Sequence, residues 1–136
     1  MATILIVDDE RPVRDFLAMV MKDAGHHPIQ AIHGGQALLL IGEIRPDLVI
    51  SDSMMPVLDG MQLCRQLKAA EGTKAIPVIL MSSASLLREA ELAGADAFVA
   101  KPFNLDEMEA LVKRLLPPQK AHKMDVQTEK IWQQNR

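Results

Sequence analysis

Asp47-Leu48-Val49-Ile50-Ser51-Asp52-Ser53-Met54-Met55-Pro56-Val57-Leu58-Asp59-Gly60 decides how this chain is read. Leu48-Val49-Ile50 is an apolar run that stops at Ser51 and a lone acid, Asp52; Met-Met-Pro and an Asp-Gly pair follow. A short apolar run bounded by turn residues predicts a buried strand. Asp52 then stands at the carboxyl end of that strand, and in an open α/β sheet ligands bind at that edge.

The flanking chain repeats the pattern. Thr3 to Val7 is a β-branched, apolar run ending in Asp8-Asp9-Glu10, a first strand. Arg11-Pro12 opens a helix, with proline where its missing N–H costs nothing. Val13, Phe16, Leu17, Val20 and Ala24 recur on one helical face, and Gly25 stops it. Pro28 to Ile32 is a second, shorter strand. Gly34-Gly35 reads as a turn and the start of a second helix, with Ala37, Leu40, Ile41 and Ile44 on one face and Leu38 and Leu39 widening it. After the strand that delivers Asp52, Met61 to Ala70 is a third helix with Leu63, Cys64 and Leu67 inward. Pro77 to Met81 is a fourth strand ending at Ser82-Ser83, and Leu86 to Ala93 a short fourth helix stopped by Gly94. Ser83 or Ser85 is expected to cap it. Ala97 to Ala100 is a fifth strand ending at Lys101-Pro102. Asn104 caps a fifth helix with Glu107 placed for a capping box, and Leu105, Met108, Val112 and Leu115 on its core face. Strands alternating with helices imply a parallel sheet covered on both faces, with the first, third and fourth strands most central.

The polar residues just past each strand form a set: Asp8 and Asp9, Asp52, Ser82 and Lys101. The second strand contributes only Ala31, Ile32 and His33. Crowded carboxylates repel, and oxygen-only ligation of a divalent cation, Mg2+, resolves the repulsion. The same cation and the Lys101 ammonium can neutralise a phosphoryl group that a carboxylate must otherwise attack against like charge. Ser82, with Ser83 beside it, offers hydroxyl donors to the phosphoryl oxygens. The chemistry that needs this set is Mg2+-assisted phosphoryl transfer to Asp52, since carboxylates serve as nucleophiles in aspartyl-phosphate formation.

Ile4-Leu5-Ile6-Val7-Asp8-Asp9-Glu10, Asp52 with Met55-Pro56 and Asp59-Gly60, Ser82, and Lys101-Pro102-Phe103 together resemble the receiver domain of two-component response regulators, over roughly Thr3 to Leu116. The resemblance implies a flavodoxin-like, doubly wound five-stranded parallel sheet of order 2-1-3-4-5. It implies that Asp52 is the phosphoacceptor, taking its phosphoryl group from a phosphohistidine on a sensor histidine kinase or histidine phosphotransfer protein. It implies Mg2+ on Asp9, Asp52 and the Met54 carbonyl, with Asp8 assisting through water, and Lys101 and Ser82 on the phosphoryl group. It further implies a cis peptide bond before Pro102 and a switch coupling Ser82 to Phe98. That switch remodels the surface of the fourth helix, fifth strand and fifth helix for a downstream protein partner or a homodimer. Ser82 stands where threonine is commoner, and Phe98 lacks a tyrosine hydroxyl. Met54 and Ala84 stand where some relatives carry polar side chains that orient hydrolytic water, which implies a long-lived phosphoaspartate.

Other readings are weaker. An aspartate-nucleophile phosphatase would carry its nucleophile on the first strand as Asp-x-Asp; here the acid pair comes first. A receiver-fold binding module that is never phosphorylated has no need of the intact acid set. A P-loop ATPase is excluded by the absence of Gly-x-x-x-x-Gly-Lys-[Ser/Thr]. His26, His27, His33 and His122 lack paired ligand spacing. Cys64, the single cysteine, excludes an internal disulfide and a cysteine zinc site and fits a reducing compartment. The net charge of −3 carries no footprint for nucleic acid. With no run of membrane-spanning length and no leader pattern, the expectation is a cytoplasmic signalling module and not a metabolic enzyme. Residues 1–118 are read as the receiver domain. Residues 119–136 are read as a tail or linker, part-helical through Met124, Ile131 and Trp132. Output is then by protein contact, unless the chain is a piece of a larger regulator.

Overall fold

A computed structural model describes residues 1–116. The reading of residues 119–136 lies outside the described residues. The elements alternate as β1 (Thr3–Val7), α1 (Arg11–Asp23), β2 (His27–Ala31), α2 (Gly34–Ile44), β3 (Leu48–Asp52), α3 (Gly60–Ala69), β4 (Val78–Ser82), a 3-10 turn (Ala84–Leu86), α4 (Leu87–Leu92), β5 (Ala97–Ala100) and α5 (Leu105–Leu115). All strand pairings are parallel and the order is β2-β1-β3-β4-β5. This is the flavodoxin-like arrangement, with β1, β3 and β4 interior.

Side chains alternate across each strand, so the sheet divides its residues between two cores. Leu5, Val7, Val49, Val78 and Leu80 pack beneath α2, α3 and α4, through Ala37, Ile41, Leu63, Leu67 and Ala90. Ile4, Ile6, Leu48, Ile50, Ile79 and Met81 pack against α1 and α5, through Leu17, Val20, Met21, Met108 and Val112. Every residue of β3 and β4 is buried, as a strand covered on both faces requires.

The strand order reverses direction between β1 and β3, and the crevice at such a switch point lies at the strands' carboxyl ends. The last pair of that ladder is Val7 with Ser51. One step further, Asp8 is level with Asp52. The sheet register itself therefore sets the acids of the two strands side by side.

Several boundaries and core faces differ from the sequence reading. Phe16 and Ala24 are exposed, and Met21 takes the buried place on α1. Leu105 is also exposed, leaving Met108 and Val112 to fill the core side of α5. Asn104 caps α5 by accepting from the Glu107 N–H, but the reciprocal capping box forms at Asp59 and Gln62 on α3. Ser83 precedes the 3-10 turn without a side-chain capping bond, and its Oγ instead lies 2.7 Å from Ser85 Oγ. No helix among the described residues is long and apolar enough to cross a membrane.

Candidate functional site

The chain leaves β1 through a tight set of bonds around Asp8. Its N–H donates to the Ala31 carbonyl, extending the β1–β2 ladder by one step. Its Oδ1 accepts from the Glu10 N–H at 2.9 Å, which turns the chain toward α1. The side chain is fully buried, yet Oδ2 has no hydrogen bond and stands 3.5 Å from Lys101 Nζ. Asp9 and Glu10 are exposed beside it, and one carboxylate oxygen from each of Asp8, Asp9 and Glu10 falls within 4.8 Å of the others. Glu10 is a member of this cluster that sequence reasoning did not single out.

Asp52 arrives from β3, nearly buried, with Oδ1 accepting from Lys101 Nζ at 3.1 Å. Ser51 Oγ donates to the Asp52 carbonyl. The loop that follows is held at both ends. Met55 is buried in the core, and the Gly60 N–H donates to the Ser53 carbonyl. Between them Val57 sits at φ +70 with the Leu58 N–H bonded to the Pro56 carbonyl, a strained γ-turn. Met54 is exposed at the mouth of the site. Gly60 presses against the Asp52–Ser53 peptide so closely that a Cβ there would overlap the Asp52 carbonyl oxygen.

From the other side, Ser82 ends β4 in a buried position and its carbonyl accepts the Lys101 N–H at 2.7 Å. Ser83 is exposed. Lys101 follows β5, and its peptide bond to Pro102 is cis. Phe98, half-buried, pairs with Leu80 across the β4–β5 ladder and packs on the core under α2, α3 and α4. His33 accepts from the Gln36 N–H as the N-cap of α2.

The electrostatics show an acid cluster short of positive charge. Burial raises the pKa of Asp52, and Asp9 and Glu10 add to this; the hydrogen bond and charge of Lys101 oppose it. Burial likewise raises Asp8, with Asp52 and Asp9 adding and the Glu10 N–H and Lys101 opposing. For Lys101, burial disfavours the ammonium, but Asp52 and Asp8 outweigh it and the pKa stands above the ordinary lysine value. One lysine thus faces several carboxylates. The donor set is all oxygen, and the buried Asp8 Oδ2 has no hydrogen bond. Both features fit a small hard dication such as Mg2+. Cys64 is buried in α3, which pushes its thiol up to about 11 and leaves it a packing residue.

At this switch-point crevice Asp8 follows β1, Asp52 ends β3 and Lys101 closes on both from the end of β5, an acid-and-lysine site on a doubly wound α/β fold. Residues 4–113 match the response regulator receiver domain, and the chain belongs to that family. It is 37% identical over 118 residues to the phosphate regulon transcriptional regulatory protein PhoB of Pseudomonas aeruginosa, covering 84% of this chain and 51% of that protein. The chain therefore spans about half the length of that relative. Among solved structures it is similar to the receiver domain of a signal transduction histidine kinase from Syntrophus aciditrophicus, with TM-score 0.82, 33% identity, and 93% and 96% of the two chains covered. It is also similar to the chemotaxis protein CheY4 of Vibrio cholerae, with TM-score 0.78, 29% identity, and 85% and 99% covered. The protein is a receiver-domain signalling module of a two-component system.

Proposed function

We propose that Asp52 is the phosphoacceptor and that it takes its phosphoryl group from a phosphohistidine on a sensor histidine kinase or histidine phosphotransfer protein. The observation that carries this is the Asp52 carboxylate, near-buried at the end of β3, bonded to Lys101 and facing the acids that follow β1. A carboxylate oxygen of Asp52 attacks phosphorus and an O–P bond forms. The P–N bond breaks, and its electron pair stays on the departing imidazole nitrogen. Lys101 leaves its bond to Asp52 Oδ1 to pair with a phosphoryl oxygen, and the hydroxyl of Ser82, with Ser83 at the rim, donates to another. Asp9, Asp52 and the Met54 carbonyl are the ligands we assign to Mg2+, with Asp8 through water. When bound, the dication supplies charge neutralisation for the phosphoryl oxygens.

The donor needs a landing place beside Asp52. An open groove of about 570 Å³ is lined by Val13, Phe16, Pro102 and Phe103 together with Glu10 and Lys101, the lysine that bonds Asp52. This supports docking of an apolar helix face that carries the phosphohistidine. On phosphorylation, Ser82 moves toward the phosphoryl group and Phe98 follows. The surface of α4, β5 and α5 then changes to meet a downstream protein or a second copy of the chain. We place this activity in the cytoplasm, where such donors act, and assign residues 1–118 to the receiver domain.

Incubation with acetyl phosphate and Mg2+, followed by intact mass measurement, tests the acceptor. One phosphoryl adduct is expected on the wild type and none on Asp52→Asn. An adduct on both moves the acceptor elsewhere. Steady turnover of p-nitrophenyl phosphate would favour a phosphatase instead.

A further inference from the structure

Arg14 is a cation set against a site built for a cation. It lies at the end of the first turn of α1, half-buried. Nη1 donates to the Asp8 carbonyl at 2.8 Å, and Nε donates to Gln30 Oε1 on β2 at 3.2 Å. One guanidinium thus joins α1, the exit of β1 and β2. A planar fork makes two such bonds in fixed geometry, which a lysine does not.

With Arg14 in place, the polar groups of Asp8 are assigned. Its N–H goes to Ala31, its carbonyl to Arg14, and its Oδ1 to the Glu10 N–H. Only Oδ2 lacks a hydrogen bond. The peptide that Arg14 holds is the one joining Asp8 to Asp9, so its plane sets where both carboxylates depart. Those carboxylates repel each other. Without a brace, the exposed Asp9 would swing away.

We propose that Arg14 is a positioning residue for the metal site: by bonding the Asp8 carbonyl it holds Asp8 and Asp9 convergent before any cation arrives. This rests on the reading of these acids as Mg2+ ligands. It has a signature that charge alone reverses. Removing a positive charge beside a dication site strengthens cation binding through Coulomb's law. Removing a brace weakens it, commonly by about 10-fold for a group that orients a metal ligand.

The test titrates the full chain with Mg2+ alone, followed by calorimetry and by backbone amide shifts. Wild type, Arg14→Met and Arg14→Lys are compared, each with a melting curve in chelator. Arg14→Met keeps the apolar stem and loses the donors. Its Mg2+ affinity is expected to fall by about 10-fold, and that of Arg14→Lys, which keeps the charge but not the fork, to fall below wild type as well. Unchanged or tighter Mg2+ binding by folded Arg14→Met overturns the proposal. If Arg14→Met does not fold, Arg14→Lys decides: weaker binding than wild type supports the brace, and equal binding overturns it. Wild type that binds no Mg2+ sinks both this and the metal reading. Wild type that binds Mg2+ but forms no phosphoryl adduct sinks the phosphoacceptor reading alone.

Discussion

Lys101 Nζ lies 3.1 Å from Asp52 Oδ1, a bond between side chains 49 residues apart, and it also lies 3.5 Å from the buried Asp8. One ammonium therefore balances two acids that the sheet register has set level. Lys101→Met removes the counter-charge and leaves both carboxylates buried. Because the lysine side chain is 28% exposed, the cost is smaller than for a fully buried pair. We expect Lys101→Met to be destabilising at neutral pH, and less so in an Asp52→Asn background. A double-mutant cycle by urea unfolding should show a favourable coupling of about 1–2 kcal/mol. Additive effects would mean that the bond contributes nothing to the fold.

The same burial sets a pH dependence. Asp8 and Asp52 hold their protons to higher pH in the fold than in the unfolded chain, whose carboxyls titrate near 3.8. Above that value the folded state binds more protons than the unfolded one, so stability falls as pH rises through the raised native values. The penalty is then in full force at neutral pH. Asp8→Asn should raise the melting temperature at pH 7, gaining about 0.5–2 kcal/mol, with a smaller gain near pH 4. Mg2+ should raise the wild-type melting temperature at pH 7 by mass action and lose that effect as the acids protonate. Lys101 differs in sign at neutral pH but not in direction: its raised pKa gives a favourable contribution that stays intact at pH 7 and is lost only as pH climbs past the ordinary lysine range. A neutral-pH Asp8→Asn variant that melts lower than wild type would refute this balance.

Much of the candidate site's geometry was legible because each of its residues stops an apolar run. Asp8, Asp52, Ser82 and Lys101 could be placed on one edge without knowing how strands pair. Glu10 was within reach of the sequence, because the Asp8 carboxylate turn that places it spans two residues. Arg14 was not, because its partner Gln30 lies on β2, sixteen residues on, with no local signal. The core faces failed for a related reason. On α1 both Phe16 and Met21 fit an apolar stripe at helical spacing, yet Met21 is buried while Phe16 is exposed and lines the groove beside Lys101.

Two glycines give opposite expectations from one substitution. A Cβ at Gly60 would overlap the Asp52 carbonyl oxygen and crowd Ser53, with backbone that cannot yield without moving Asp52. Gly42 lies exposed within α2, and a Cβ there meets nothing within 4 Å. Gly60→Ala should cost about 1–3 kcal/mol and slow phosphorylation from acetyl phosphate. Gly42→Ala should gain about 0.5–1 kcal/mol and leave that rate alone. Equal effects at the two positions would show that the loop after β3 is free to shift.

On the proposed phosphoacceptor role of Asp52, Met54 bears on how long the phosphoaspartate lasts. It stands two residues past Asp52 with 64% of its surface exposed, an apolar side chain next to the carboxylate in sequence and open to solvent. Hydrolysis needs a water held in line with the O–P bond, and a thioether offers only a weak acceptor to hold it. An amide at this position can both donate to and accept from that water. Met54→Asn should therefore shorten the lifetime by about 10-fold, a barrier change near 1.4 kcal/mol, while Met54→Leu should leave it unchanged. The decay is followed by intact mass after the phosphodonor is removed, with Mg2+ constant. Identical decay of wild type and Met54→Asn would mean that some other group governs access of water to the phosphoryl.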